Sequence, residues 1–321
     1  MSGLCLTCKR RNANMKYETI SLRDYVGKTL NALYDPRMYV LDGDLSSATR
    51  SAQFQQEHPD HFIECGISET SGVSIATGLA MEGMIPFYVN FALFCTGSAW
   101  TQVRMACYAD ANLKLLSTHP GMDNGPDGAS HHGNEDIALM RTLPGMRILV
   151  PQSPEELKAA VADAMATHGP CYIRVSRDVV PVLPDAPACE HFGGARCIRN
   201  EGDDFAIVYE GTAMMAAVSA FDLLHDRGAK GRLVQVQTVK PFPAEEVLAL
   251  TQGVKRIVTV ENHTVIGGLG GAMAETLAGL SSHPVLVRTG VPDVFTQSGP
   301  TAKVKARYGL DPEKIAEAAM G

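Results

Sequence analysis

No stretch of the sequence approaches the roughly 20 consecutive apolar residues that a membrane-spanning helix needs. The first residues, MSGLCLTCKRR, lack the apolar core of a secretion signal, so the chain is expected in the cytoplasm. Positive charge is the minority sign: 28 lysines and arginines face 35 aspartates and glutamates, a net charge of −7. That balance gives no reason to expect nucleic acid or an anionic membrane as partner. There is no low-complexity tract and no repeat with a period of about 20 to 50 residues. Cys5 and Cys8 form a lone C-x-x-C, but no second pair follows at zinc-finger or ribbon spacing, so no metal is expected on this chain. The other six cysteines are scattered and read as buried thiols.

What is present is a globular composition, with 45% hydrophobic and 20% charged residues in 321, enough for two domains. The short apolar runs Met38–Leu41, Phe62–Cys65, Ile85–Val89, Leu113–Ser117, Met146–Val150 and Cys171–Val175 alternate with helical or loop segments. This pattern predicts an α/β fold, a doubly wound and mostly parallel sheet covered on both faces. Ser21 is expected to cap a helix carrying Leu22, Val26, Leu30 and Leu33, and Ser153-Pro154-Glu155-Glu156 to open another with a capping box. From Asp178 to about Asp204, prolines, glycines and charges read as a linker. Beyond it strands at Phe205–Tyr209, Arg232–Val236, Ile257–Glu261 and Val285–Arg288 alternate with helices in a second, smaller α/β domain. The expected division is an N-terminal extension, 1–14, a first domain, 15–190, and a second, 191–321.

Ligands of doubly wound sheets sit in the loops beyond the carboxyl ends of the strands. Four such loops carry conspicuous polar groups: Asp42–Ser47, Gly66–Glu69, Asn90–Phe94 and THPGMDNGPDGASHH, Thr118–His132. Glu69 opens a helix of small and apolar residues, Thr70–Met81, that is expected to pack closely on most sides and so to leave the carboxylate partly desolvated. Taken alone, it reads first as an ordinary first-turn glutamate, and Phe91 and Phe94 read first as core residues. Three histidines on one loop, His119, His131 and His132, serve no packing need. With Asp127 they suit a polar substrate cleft better than a metal site.

These segments carry a resemblance. ECGISETSGVSIATGLAMEG, FYVNFALF, the stretch from STHPGMDNGPDGASHHGNEDIALM to VPQSPEE, and YIRVSR resemble the pyrimidine-binding domain of transketolases. VTVENHTVIGGLGGAMAE is similar to their C-terminal domain. The resemblance implies that Glu69 hydrogen-bonds the pyrimidine of thiamine diphosphate, favouring the tautomer that deprotonates the thiazolium carbon. It implies that Phe91 and Phe94 pack on that ring, with Gly97 where a third aromatic is expected, and that Asp44 lies close to the cofactor. His119, Asp127 and His131 match substrate residues, the histidines also shuttling protons, and Arg177 matches an arginine gripping the sugar's terminal phosphate. Arg23 and Ser47, in the Ser46–Ser47 loop, fall near the remaining phosphate positions, whereas nothing in the pattern assigns His132 a role.

Full-length transketolases hold the diphosphate and its Mg2+ through a Gly-Asp-Gly motif and a following asparagine in a further domain. This sequence has no Gly-Asp-Gly; LDGDLSS has the letters in another order. The resemblance therefore implies the C-terminal (beta) half of a split transketolase, a glycolaldehyde transferase. A separate N-terminal (alpha) subunit would bind the Mg2+, the cofactor would lie between the two chains, and two copies of each would form a heterotetramer. Expected substrates are sugar phosphates or sugars with another anionic terminus. The rival expectations are the beta subunit of a 2-oxoacid dehydrogenase, an enzyme like 1-deoxyxylulose-5-phosphate synthase, and a non-catalytic regulatory homologue.

Overall fold

The computed structural model describes residues 17–189 and 192–321. Cys5, Cys8, the expected extension and the expected boundary at 190/191 lie outside them. Fourteen strands occur among the described residues: β1 Thr19–Ser21, β2 Met38–Asp42, β3 Phe62–Glu64, β4 Ile85–Phe91, β5 Lys114–Thr118, β6 Arg147–Leu149, β7 Cys171–Arg174, β8 Val179–Pro181, β9 Ala195–Asn200, β10 Ala206–Glu210, β11 Arg232–Val236, β12 Thr238–Lys240, β13 Arg256–Thr264 and β14 Val285–Val291. They form a seven-stranded sheet in the order β12-β6-β7-β5-β4-β2-β3, a five-stranded sheet in the order β14-β13-β10-β11-β9 and an antiparallel pair, β1 with β8. In each of the two larger sheets, every pair is parallel except one at an edge, β12 on β6 and β9 on β11. The doubly wound, mostly parallel α/β fold expected from the alternation is the fold observed. No helix among the described residues is long and apolar enough to cross a membrane.

The expected capping box holds in detail. Ser153 caps helix Pro154–Ala166 by accepting from the Glu156 N–H, while the Glu156 carboxylate reaches the N–H of Gln152. Asp311 caps Pro312–Met320. Other local expectations need correction. Ser21 makes no capping bond; its hydroxyl donates to the Arg177 carbonyl at 3.0 Å, and a 3-10 turn, Leu22–Tyr25, precedes helix Val26–Ala32. The segment 178–204 is not a bare linker, because β8 pairs with β1 and β9 closes an edge of the second sheet. Helix Glu69–Met81 buries only one face in this chain, through Gly72, Val73, Ala76 and Ala80, and leaves Ile75 and Met81 exposed. Of the described cysteines, all free, only Cys95 and Cys171 are fully buried.

The two sheets are joined by buried charge. Arg174, at the carboxyl end of β7, is fully enclosed. It donates through Nε to Asp136 Oδ2 at 2.7 Å and through Nη2 to Asp136 Oδ1 at 3.1 Å, the planar two-point match a guanidinium makes with a carboxylate. It also reaches Glu210 on β10 at 3.2 Å and the carbonyl of Asn262 on β13 at 2.8 Å. Removing one member of such a group strands the others without solvent, at a typical cost of about 3–5 kcal/mol. Arg174→Met is therefore expected to lower unfolding stability by about that amount in urea denaturation. A loss below about 1 kcal/mol, the scale of an exposed pair, would contradict this role.

Candidate active site

The loops after β2, β3, β4 and β5 lie side by side because those strands are parallel neighbours. After β2, the buried Asp42 carboxylate organises the turn. It accepts from the Leu45 N–H at 2.6 Å, the Ser51 hydroxyl at 2.7 Å and the Thr49 hydroxyl at 3.0 Å. Burial nevertheless pushes this carboxyl up to about 6. Glu64 fastens this loop to the next by accepting from the N–H groups of both Asp44 and Gly66 at 2.8 Å. Asp44 and Ser47 face solvent on this rim. Arg50, held at a left-handed φ of 73°, donates to Asp24 at 2.8 Å and to the Ser47 carbonyl at 3.2 Å.

Glu69 is the first residue of its helix and is half-buried. The helix is drawn down onto the sheet at Gly72, where an added Cβ would sit 2.5 Å from the Tyr88 ring. Beside it, the chain after β4 turns through a π-helical stretch, Phe94–Ser98, a departure often found at functional sites. The rings form a row. Phe91 stacks on Phe94 with centroids 5.9 Å apart and on His119 at 3.8 Å, and Phe94 meets His131 edge-on at 5.4 Å. The aromatic pair and two of the histidines singled out from the sequence thus share one surface.

The loop after β5 bends sharply. His119 has φ 56° and Gly121 φ 55°, and a Cβ at Gly121 would lie 2.1 Å from the Asn262 carbonyl of the second domain, so only glycine fits there. His119 is 3% exposed, with Nδ1 2.8 Å from the Thr118 hydroxyl. Burial, reinforced by the positive charges of Arg23 and Arg177, pushes its imidazole down to about 3. An imidazole so depressed is neutral near pH 7. Arg23 is in turn depressed by burial and by the charges of Arg50 and Arg177, and its Nε is buried without a hydrogen-bond partner. Asp24 pairs with Arg50 at 2.8 Å and lies 3.7 Å from Arg23, so three arginines with one carboxylate leave an excess of positive charge that suits an anion.

Other expectations are met less directly. Asp127 is exposed and held by the Asn124 side-chain amide. Among the described residues no hydrogen bond joins Glu69, Asp44, Ser47 or Asp127 to the aromatic row. His132, without an assigned role, is a structural anchor: Nε2 donates to the Asn124 carbonyl at 3.0 Å and Nδ1 lies 2.6 Å from the Thr296 hydroxyl of the second domain. Two residues of the site were not singled out from the sequence. Arg50 carried no motif, and Asp123, inside the histidine loop, was passed over for its neighbours. Asp123 Oδ2 accepts from the Arg177 N–H at 2.8 Å, and the Asp123 carbonyl accepts from Arg177 Nη1 at 3.2 Å. Among the described residues no group of three metal-ligating side chains could hold an ion. The donor set fits a flat heteroaromatic group on the phenylalanine shelf near Glu69 and a polyol ending in an anion at the arginines.

Residues 18–182 match the family "Transketolase, pyrimidine binding domain", and residues 193–315 match "Transketolase, C-terminal domain". A putative transketolase C-terminal section from Methanocaldococcus jannaschii is 36% identical over 93% of this chain and 95% of its own length. The 6-deoxy-6-sulfo-D-fructose transketolase subunit SqwH of Clostridium sp. strain MSTE9 is also 36% identical, over 95% of each chain. Among solved structures, a split gene transketolase in an inactive β4 tetramer superposes with a TM-score of 0.83 at 36% identity, covering 94% of this chain and 97% of that one.

The electrostatics of His119 can be read directly. Its ring is expected to stay neutral from about pH 8 down to about pH 5 in a nuclear magnetic resonance titration, whereas an ordinary histidine gains its proton near 6.5. A His119 midpoint near 6.5 would contradict the buried, arginine-flanked environment.

Proposed function

Because the chain belongs to the transketolase family, we propose that it is the half of a split transketolase that carries the pyrimidine side of a thiamine diphosphate site and the sugar channel. A separate subunit supplies the Mg2+ and diphosphate side, in a heterotetramer with two copies of each chain. The observation that carries this reading is the row His119–Phe91–Phe94–His131 with Arg23, Arg50 and Arg177 clustered at its His119 end. When bound, thiamine diphosphate would supply the nucleophilic carbon needed for two-carbon ketol transfer from a ketose to an aldose phosphate. Glu69 shares a proton with the pyrimidine ring, and Phe91 and Phe94 hold that ring flat. Asp44 borders the same group.

His119 and His131 exchange protons with the sugar hydroxyls as the donor is cleaved and the acceptor captured, His119 starting neutral. Asp127 and His131 bind hydroxyls. Arg177, Arg23 and Ser47 hold the anionic end. The relative that is a sulfofructose transketolase subunit widens the donor class from phosphates to sulfonates, and a branched pentulose phosphate presents the same groups. Arginine clustering disfavours the 2-oxoacid dehydrogenase alternative, whose small substrate has no distant anion to grip. We place the assembly in the cytoplasm; no helix among the described residues is long and apolar enough to cross a membrane.

The test uses the chain with and without a diphosphate-binding subunit carrying Gly-Asp-Gly, in the presence of thiamine diphosphate and Mg2+. The assembled enzyme is expected to transfer ketol from a ketose phosphate to an aldose phosphate and to leave pyruvate untouched with a dye acceptor, and the lone chain to be inactive. Pyruvate oxidation by the complex, or robust transfer by the lone chain, would overturn the proposal.

A further inference from the structure

The second domain reaches into the anion end of the site through a charged side chain. Lys305, on helix Thr301–Arg307, is largely buried and places Nζ 2.7 Å from Asp123 Oδ1 and 2.9 Å from Asp178 Oδ2. Asp123 is fully buried. Its Oδ1 also accepts from Asn262 Nδ2 at 2.8 Å. Its Oδ2 accepts from the Ser176 hydroxyl and the Arg177 N–H, both at 2.8 Å, and from the Asp178 N–H at 3.1 Å. The segment so fixed holds the other arginine, because the Ser176 carbonyl accepts from the Arg23 N–H at 3.1 Å and the Arg177 carbonyl from the Ser21 hydroxyl. A chain of contacts therefore runs from Lys305 through Asp123 to the backbone of both Arg177 and Arg23.

We propose that Lys305 is a positioning residue for the anion grip: it neutralises Asp123 and Asp178 so that the charge of Arg177 remains free for the terminal anion of the substrate, and through the segment at Ser176 it fixes the backbone of Arg23, whose guanidinium lies 3.7 Å from Asp24. Two carboxylates stand within one residue's reach of Arg177, and an uncompensated carboxylate is the natural partner of a guanidinium. Lys305 satisfies both at once from the far domain, and among the described residues the Arg177 guanidinium keeps one hydrogen bond, to the Asp123 carbonyl at 3.2 Å. Without it the two negative charges draw Arg177 inward and its fork is satisfied by protein rather than substrate. The domain packing then contributes to substrate selection through charge balance as well as through shape.

This inference rests on the ketol-transfer reading, and the experiment separates the two. In the assembled complex, Lys305→Met is expected to raise KM for a ketose phosphate by ~10-fold or more with kcat changed less than about threefold, the pattern of lost uniform binding. KM for the same ketose without its phosphate should not move, and Lys305→Arg should restore most of the affinity. Absent turnover in the unsubstituted complex defeats the functional reading whatever Lys305 does. Turnover with an unchanged ketose phosphate KM in Lys305→Met, or equal losses for both ketoses, overturns the positioning role alone. If Lys305→Met does not assemble, the comparison is made with Lys305→Gln, and failure of both to assemble gives Lys305 a purely structural part and also overturns it.

Discussion

The buried carboxylate of Asp123 is the constraint on which the rest of the structure turns. It collects five donors, from its own domain through Ser176, Arg177 and Asp178 and from the second domain through Asn262 and Lys305. Burial alone raises a carboxyl's affinity for a proton, but the charge of Lys305 and the converging donors outweigh it and hold Asp123 below its ordinary value. A second buried group, Arg174 with Asp136 and Glu210, crosses the same junction. Buried ion pairs add little net stability over apolar packing, yet they tolerate few geometries. Their effect here is to fix how one domain seats on the other, and with it the loop that carries the histidines.

The site inherits its polarity from that arrangement. At one end aromatic rings and the small residues of helix Glu69–Met81 offer a flat, weakly polar surface; at the other, three arginines crowd a histidine that cannot afford a charge. A polyol lying between them would meet neutral imidazole where protons must move and fixed cations where an anion must stay. Glu69 is half-buried and its helix leaves Ile75 and Met81 exposed, which suits the proposal that the other wall of the site comes from a different polypeptide.

Much of this was legible in the residues. Continuous apolar runs such as Ile85–Val89 announce buried parallel strands because both faces are covered, and capping signals such as Ser153-Pro154 act within a few residues. The four polar loops could be placed on one rim once the strands were taken as parallel. What escaped depends on partners distant in the chain. β8 and β9 sit in a proline- and glycine-rich stretch and exist because β1 and β11 pair with them. β12 joins the first sheet from beyond the second domain's own β11. Ser21 looked like a cap because local chemistry favours that use, but Arg177, 156 positions away, takes its hydroxyl. Lys305, Asp123 and Arg50 carry no signature, since their roles come from charge balance across the fold and not from spacing.

The central claim is that Glu69 activates a cofactor shared between this chain and a partner. It is tested most directly by exchange of the thiazolium C2 proton of thiamine diphosphate into deuterated water, followed by nuclear magnetic resonance in the assembled complex. Glu69→Ala is expected to slow that exchange by about 100- to 10,000-fold, the usual range for a positioned proton-transfer group, while the complex still assembles. Exchange at the unsubstituted rate in an assembled Glu69→Ala complex would contradict the account.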